Sequence, residues 1–335
     1  MEIKPSREGF RKLAAETNLI AVAKEINMDL DTPVSVYYKL VGEKKGFILE
    51  SVDTTHQQFG RFSFIGAEPF ARLQVFKDKL MINENGLMKC IMGEPVAAIK
   101  QYGQGFKPAV EDASLPLANG GMVGYLNYDI VATFDRVRGM ELGDEELLGQ
   151  FMICRVLVVY DALHNNARLI CLADTKGRGA DEAYDAVCEK IAEVEAKLAA
   201  PLAPQAASKA KPREKIDFLK KFGKAPQDFL DAIHKAKEHI FAGDIFQVVP
   251  SRQFREKITK PCFHFYRRLR QVNPSPYMFY FNFGPVKLVG ASPEMLVKVA
   301  GDHVYTYRKN VPSIRCSSTL RATISAASAS RAAYA

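Results

Sequence analysis

Chemistry in this 335-residue chain is sought first at its cysteines and histidines. Six cysteines (90, 154, 171, 188, 262 and 316) are scattered without a CxxC pair, and six histidines show no ligand spacing. A zinc site needs paired ligands a few residues apart, and disulfide frameworks belong to short secreted chains. The thiols are therefore read as reduced and mostly buried. No nucleophile–histidine pair sits in motif context, and there is neither a Walker loop nor a metal-ligand helix. Gly120, Gly121 and Gly124 mark a glycine-bearing strand ending near Leu126. A phosphate cradle would need a helix start directly after it, so these glycines are read as permitting close backbone approach or a bulge.

Charge and composition narrow the partners. The 46 Lys and Arg exceed the 38 Asp and Glu, for a net charge of +8. Five of the basic residues (Arg308, Lys309, Arg315, Arg321 and Arg331) fall in the last 28 positions, which hold no acid. The remaining 307 positions carry 41 basic and 38 acidic residues, or +3. With no basic stripe interleaved with aromatics, the pattern argues against nucleic acid. Hydrophobic residues at 47% and charged residues at 25% are ordinary for a globular protein. The longest apolar runs, such as Val156 to Tyr160, are strand-sized and far below the roughly 18 residues of a membrane span. Met1 to Pro5 contains no apolar core of a signal segment. The expectation is a cytoplasmic protein with no membrane association.

The elements that must position any site follow from periodicity. At about 150 residues per domain the length suggests about two domains. Residues 1–31 read as a helical lead-in, and from Pro33 the pattern is strand-like. Phe47 to Val52, Arg61 to Ile65, and a hairpin around Lys77-Asp78-Lys79 follow. A helix is expected near Glu94 to Tyr102, and strands at Phe151 to Tyr160 and Arg168 to Leu172. Tyr184, Val187, Ile191, Val194 and Leu198 recur every three or four residues, as in an amphipathic helix. An Ala-, Pro- and Lys-rich linker comes next. Beyond it, Phe229, Leu230, Ile233 and Ile240 predict a helix capped by Gly243. Asp244 to Phe254 reads as a buried strand, with more strands at Tyr277 to Phe283, Val286 to Val289, Met295 to Val299 and His303 to Tyr307. Runs of strands with a few covering helices predict an α+β fold with largely antiparallel sheet.

Four segments go further. Leu49-Glu50-Ser51 precedes Gly60-Arg61-Phe62-Ser63-Phe64-Ile65-Gly66; Gly121 to Asp129 reads GMVGYLNYD; Ala242 to Val249 reads AGDIFQVV; and Asn273 to Phe279 reads NPSPYMF, with Gly290 to Glu294 reading GASPE. In order and spacing, from about residue 10 to 307, these resemble the anthranilate synthase component I family of chorismate-utilising enzymes. The resemblance implies a domain plan: an N-terminal region over 1–200, a linker over 201–224, and the start of a chorismate-binding domain over 225–307. It implies formation of anthranilate and pyruvate from chorismate and ammonia with Mg2+ bound. The ammonia would come from a separate glutamine amidotransferase subunit, and tryptophan would inhibit at a distinct site.

By the resemblance, Glu50, Ser51, Pro276, Tyr277 and Met278 line the tryptophan pocket. A carboxylate, a hydroxyl and backbone groups can satisfy an amino acid's ammonium and carboxylate. The Pro276–Met278 run would form an apolar wall for the indole. Gln247 stands where relatives that add water to chorismate carry a lysine. An amide cannot abstract a proton at neutral pH but can hydrogen-bond ammonia, so Gln247 favours the ammonia-using reaction. The structural alternatives are a strand end for Glu50-Ser51, a proline-rich turn for 273–277 and a buried strand amide for Gln247.

The chain departs from the family after Tyr307. The family continues Pro-Ile-Ala-Gly-Thr, and this chain reads Arg308-Lys309-Asn310-Val311-Pro312. The chorismate-gripping residues, the Mg2+ ligands and the histidine assisting pyruvate loss are expected beyond that point. Residues 308–335, Ser- and Ala-rich and poor in large apolar side chains, are expected to be an unrelated disordered tail, by frameshift or truncation. The chain is therefore expected to lack its catalytic residues and Mg2+ ligands, and to expose Tyr277 to Phe283 as an aggregation-prone edge. Aminodeoxychorismate synthase component I, of the folate pathway, and a non-catalytic tryptophan-binding remnant are the alternative readings.

Overall fold

A computed structural model describes residues 2–52, 61–107, 109, 120–202, 223–251, 253–255, 257–293, 295–300 and 303–305. Its contacts divide the chain into two units, Met1–Leu202 together with the chain from Cys262, and Ala203–Pro261. The first unit is built on one antiparallel sheet in the order β1 (Ile3–Lys4), β2 (Leu19–Asn27), β9 (Asn166–Asp174), β8 (Gly149–Asp161), β4 (Phe62–Val75), β3 (Gly46–Glu50), β10 (Tyr277–Asn282) and β11 (Lys287–Ser292). The hairpin of β5 (Lys79–Glu84) and β6 (Leu87–Met92) continues from β4, and β7 (Val123–Leu126) pairs with β8. β12 (Lys298–Ala300) and β13 (His303–Tyr305) form a separate ladder. The α+β class is as expected.

Both faces of the central strands are buried, which is why β8 and β9 are almost continuously apolar. On one face Ile20, Val22, Ile48, Ile65, Val158, Met278 and Tyr280 pack under four helices. These are α1 (Arg7–Glu16), α2 (Pro33–Leu40), α4 (Ala180–Ala199) and α6 (Cys262–Val272). The other face gathers Phe47, Leu73, Leu157, Val159 and Phe281, with Ala98 of α3 (Pro95–Gln104). The α4 residues expected on one face, Tyr184 through Leu198, are all buried.

Several expectations are corrected. Residues 19–27 form β2 instead of continuing a helical lead-in, because the run Leu19 to Val22 fits a half-buried pleat. Pro33–Leu40 is helical, not strand-like. Thr32 and Ser35 cap each other's backbone N–H reciprocally and Pro33 takes the first turn, where its missing donor costs nothing. Asn85-Gly86, with φ of 51° and 89°, closes the unanticipated β5–β6 hairpin. Tyr277 to Phe283 is not an exposed edge, because β10 lies between β3 and β11.

The second unit contains α5 (Gln227–Ala242), ended as expected by Gly243 in the left-handed region at φ 81°. Within Asp244 to Phe254 the described residues are irregular and exposed, not a buried strand. A strand persists only when a neighbour takes up its N–H and C=O groups, and among the described residues none pairs with this segment. Residues from Cys262 group with the N-terminal region, where β10 joins its sheet beside β3. Most of the expected linker 201–224, and the tail from 308, lie outside the described residues. Among the described residues no helix is long and apolar enough to cross a membrane.

Candidate functional site

The site grows from the pairing of β3 with β10. Five rungs run from Gly46↔Asn282 to Glu50↔Met278, joining segments more than 220 residues apart in sequence. Just past the last rung, the Val52 N–H donates to the Ser275 carbonyl at 3.1 Å. The Leu49-Glu50-Ser51 and Ser275-Pro276-Tyr277-Met278 segments thus lie side by side at one end of the sheet.

Side-chain alternation separates the residues within that pair of segments. Glu50 and Met278 share the face covered by α6, and both are buried, Glu50 with 4% exposure. Tyr277 alternates to the opposite face and is 38% exposed. The run Pro276-Tyr277-Met278 therefore cannot present three side chains to one wall. Met278 belongs to the core, and half-buried Pro276 with Tyr277 remain as apolar surface at the strand end.

Glu50 is already engaged. Arg270 Nη2 donates to its Oε1 at 3.0 Å, and Arg270 Nε lies 2.8 Å from its Oε2 as an ion-pair contact without hydrogen-bond alignment. The Tyr266 hydroxyl donates to Oε2. Tyr266 and Arg270 are four residues apart on α6, so one helix face brings both to the carboxylate. Burial pushes the Glu50 carboxyl above its ordinary range, with Arg270 and then Tyr266 pulling the other way. Burial first, and the Glu50 charge next, push the Tyr266 phenol far up, so it donates as a neutral hydroxyl. Behind the pair lies an aromatic cluster. Phe263 stacks on Tyr37 at 4.1 Å between ring centres and meets Tyr280 edge-on at 5.1 Å.

Ser51 is the opposite case. Its Oγ is shielded from solvent and has no hydrogen-bond partner among the described residues. A buried hydroxyl left unpaired costs about 1–3 kcal/mol, which a ligand's polar group could recover. Gln247 sits exposed in the irregular stretch after α5, in the second unit, and is not a buried strand amide.

Sequence reading missed Tyr266 and Arg270. The signal was available in the helical spacing of Phe263, Tyr266 and Arg270, but α6 was not anticipated. Among the described residues no group of three His, Cys, Asp or Glu comes together as a metal site would need.

The family model for chorismate binding enzymes matches residues 46–307. Anthranilate synthase component 1 of Acetivibrio thermocellus is 32% identical over 311 residues, covering 90% of this chain and 61% of that protein. Its counterpart from Neisseria meningitidis serogroup C is 33% identical over 309 residues, covering 89% and 60%. The chain thus spans about 60% of the length of these curated relatives. The crystal structure of anthranilate synthase component I from Streptococcus pneumoniae TIGR4 superposes with a TM-score of 0.55 at 24% identity, covering 84% of this chain and 60% of that one, which shows a shared fold. With the family model spanning both strands of the site, the chain belongs to the chorismate-binding enzyme family.

Proposed function

We propose that this is an anthranilate synthase component I chain whose described residues hold a tryptophan effector site rather than the reaction centre. The observation that carries the reading is the β3–β10 register, which brings Glu50-Ser51 beside Pro276-Tyr277. The Ser51 Oγ, without a partner among the described residues, supports it as a polar contact for an amino-acid ligand. In this reading Ser51 meets the ligand's polar head, Pro276 and Tyr277 flank the indole, and Met278 backs the pocket from the core. Glu50 holds α6 to β3 through Arg270 and Tyr266.

The family reaction joins ammonia to chorismate and eliminates pyruvate. Ammonia would arrive from a glutamine amidotransferase subunit, and Gln247 would hydrogen-bond it, being neither acid nor base at neutral pH. Mg2+, when bound, would neutralise substrate carboxylate charge. No step is assigned to it here, since no described carboxylate cluster fits it. A site for tryptophan apart from the chorismate cavity is what end-product inhibition needs, a coupling free energy between two sites.

Isothermal titration with L-tryptophan tests the reading. Binding is expected in the parent chain and lost in Ser51→Asp, whose carboxylate would face the ligand's own. Absence of heat at millimolar tryptophan would overturn it. Steady-state fluorescence of anthranilate from chorismate, ammonium and Mg2+ is expected to show no turnover by this chain, and a clear rate would place the reaction centre back within it.

A further inference from the structure

The β5–β6 hairpin gathers sulfur on its outer face. Asn85 and Gly86 close it in a two-residue turn, which fixes the register as Lys79↔Met92, Met81↔Cys90 and Asn83↔Met88. Residues two apart on a strand share a face, and directly opposed residues share it too. Leu80 and Ile82 turn inward and are buried. Met81, Met88, Cys90 and Met92 therefore occupy the other face. Met88 and Met92 are 57% and 68% exposed, and Cys90 is also exposed. Three thioethers and a thiol on one patch of a two-stranded ribbon are more than chance exposure of single apolar residues requires.

The Cys90–Met92 spacing is that of shared ligands. Cys90 Sγ lies 3.6 Å from Met92 Sδ. Two sulfurs bound to one metal at about 2.3 Å sit roughly 3.7 Å apart in tetrahedral geometry. Met81 stands directly across the ladder from Cys90, within reach of the same point. Asn83 Nδ2 lies 3.3 Å from Met88 Sδ, holding that thioether toward its own rung. A set of one thiolate and thioethers, with no carboxylate or imidazole among them, is soft. It selects Cu(I) and disfavours Mg2+, Ca2+ and Mn2+.

Among the described residues two cations share this face, Lys79 and Arg72, the latter on β4 opposite Asn83. Lys79 is paired with Glu145 at 2.8 Å, and its ammonium lies 5.2 Å from the Phe76 ring centre. Its pKa is raised, mainly by the hydrogen bond to Glu145.

We infer that the outer face of the β5–β6 hairpin is a binding site for a soft monovalent metal ion, Cu(I), ligated by Cys90, Met92 and Met81, with Met88 alongside. On binding, the Cys90 S–H bond breaks, its proton leaves to solvent and a copper–sulfur bond forms, with no change of oxidation state. The site is distinct from the β3–β10 strand end and does not depend on the tryptophan reading.

The test is anaerobic competition for Cu(I) between the full chain and bathocuproine disulfonate, followed by the colour of the chelator complex. The parent is expected to withdraw one equivalent, with X-ray absorption showing only sulfur neighbours. Cys90→Ser should weaken Cu(I) binding at least a hundredfold. Met92→Leu and Met81→Leu should each weaken it about tenfold, and all three variants should keep the parent's thermal transition, because Cys90 and Met92 are exposed and half-buried Met81 is replaced by a side chain of similar volume. Failure of the parent to withdraw one equivalent would overturn the proposal. So would a Cys90→Ser variant that competes like the parent, or methionine variants that both bind as tightly as the parent, since binding would then not involve the shared site.

Discussion

Glu50 is a buried carboxylate held by two donors. Its carboxylate is buried and stays tolerable because Arg270 and Tyr266 supply donors. Removing one partner of such a pair strands a charge in the core. Arg270→Met is expected to cost about 3 kcal/mol, at the low end for buried pairs because Arg270 is itself partly exposed. The pH dependence has a definite sign. The folded-state pKa of Glu50 is raised, so between the ordinary carboxylate value of about 4 and that raised value the folded chain holds more protons than the unfolded one. Stability contributed through Glu50 is full at low pH and declines as pH rises across this window. In Arg270→Met the decline should be larger and extend to higher pH, and Glu50→Gln combined with Arg270→Met should remove it. Urea denaturation at intervals from pH 4 to 8 reads this directly, and a parallel loss at every pH would refute it. Asp161 behaves oppositely. Burial alone would raise its carboxyl, but Arg61, His164 and the Leu163 N–H together hold it well below the usual range. Its contribution is complete above about pH 4 and is lost as pH falls. Asp161→Asn should cost about 1–3 kcal/mol near neutrality and flatten the acid limb of the stability profile.

At the scale of elements, the chain order of strands says little about who pairs with whom. The β10 strand was legible from its apolar run, but nothing in residues 277–282 names β3 as its neighbour. That pairing depends on α6 covering Glu50 and Met278, a contact more than 200 residues long-range. Helix α4, the β4–β5 hairpin and the Gly243 cap were legible because each declares itself within one short window. Helix α2 was missed although Thr32-Pro33 and Ser35 spell its start, because apolar Val34 to Tyr37 reads equally as strand. The ammonium role of Glu50 and the three-residue wall came from resemblance, and strand alternation redistributes them. Gly124 shows how tightly register is held. A Cβ there would lie 2.0 Å from the Gln150 carbonyl oxygen and 2.7 Å from the Phe151 Cα, both backbone atoms that cannot rotate away. The close approach read from the glycines is therefore a β7–β8 contact. Gly124→Ala should part these strands and cost about 3 kcal/mol, the upper range for overpacking. Thermal unfolding followed by circular dichroism checks it, and a transition within a degree or two of the parent would show that the strands can adjust.

Across the whole molecule, burial is divided unequally between the two units. The first encloses two clusters of apolar side chains on either side of one sheet. The second, Ala203–Pro261, has no buried residue in α5, and it displays Phe241 at 88% exposure and Val249 at 78%. Stability should therefore reside in the first unit, since apolar area removed from water supplies most of the folding free energy. This relocates the expected solubility problem. It does not lie in Tyr277 to Phe283, which is paired on both sides, but in the apolar residues from Phe241 to Val249. Replacing both Phe241 and Val249 with lysine adds charge where nothing apolar is lost from a core. Exposed substitutions of this kind change stability by about 0.5 kcal/mol or less. The double variant should melt within a few degrees of the parent while sedimenting with less self-association at the same concentration. A large fall in the melting temperature would mean that these side chains contribute to the folded core, and unchanged self-association would place the sticky surface elsewhere on the chain.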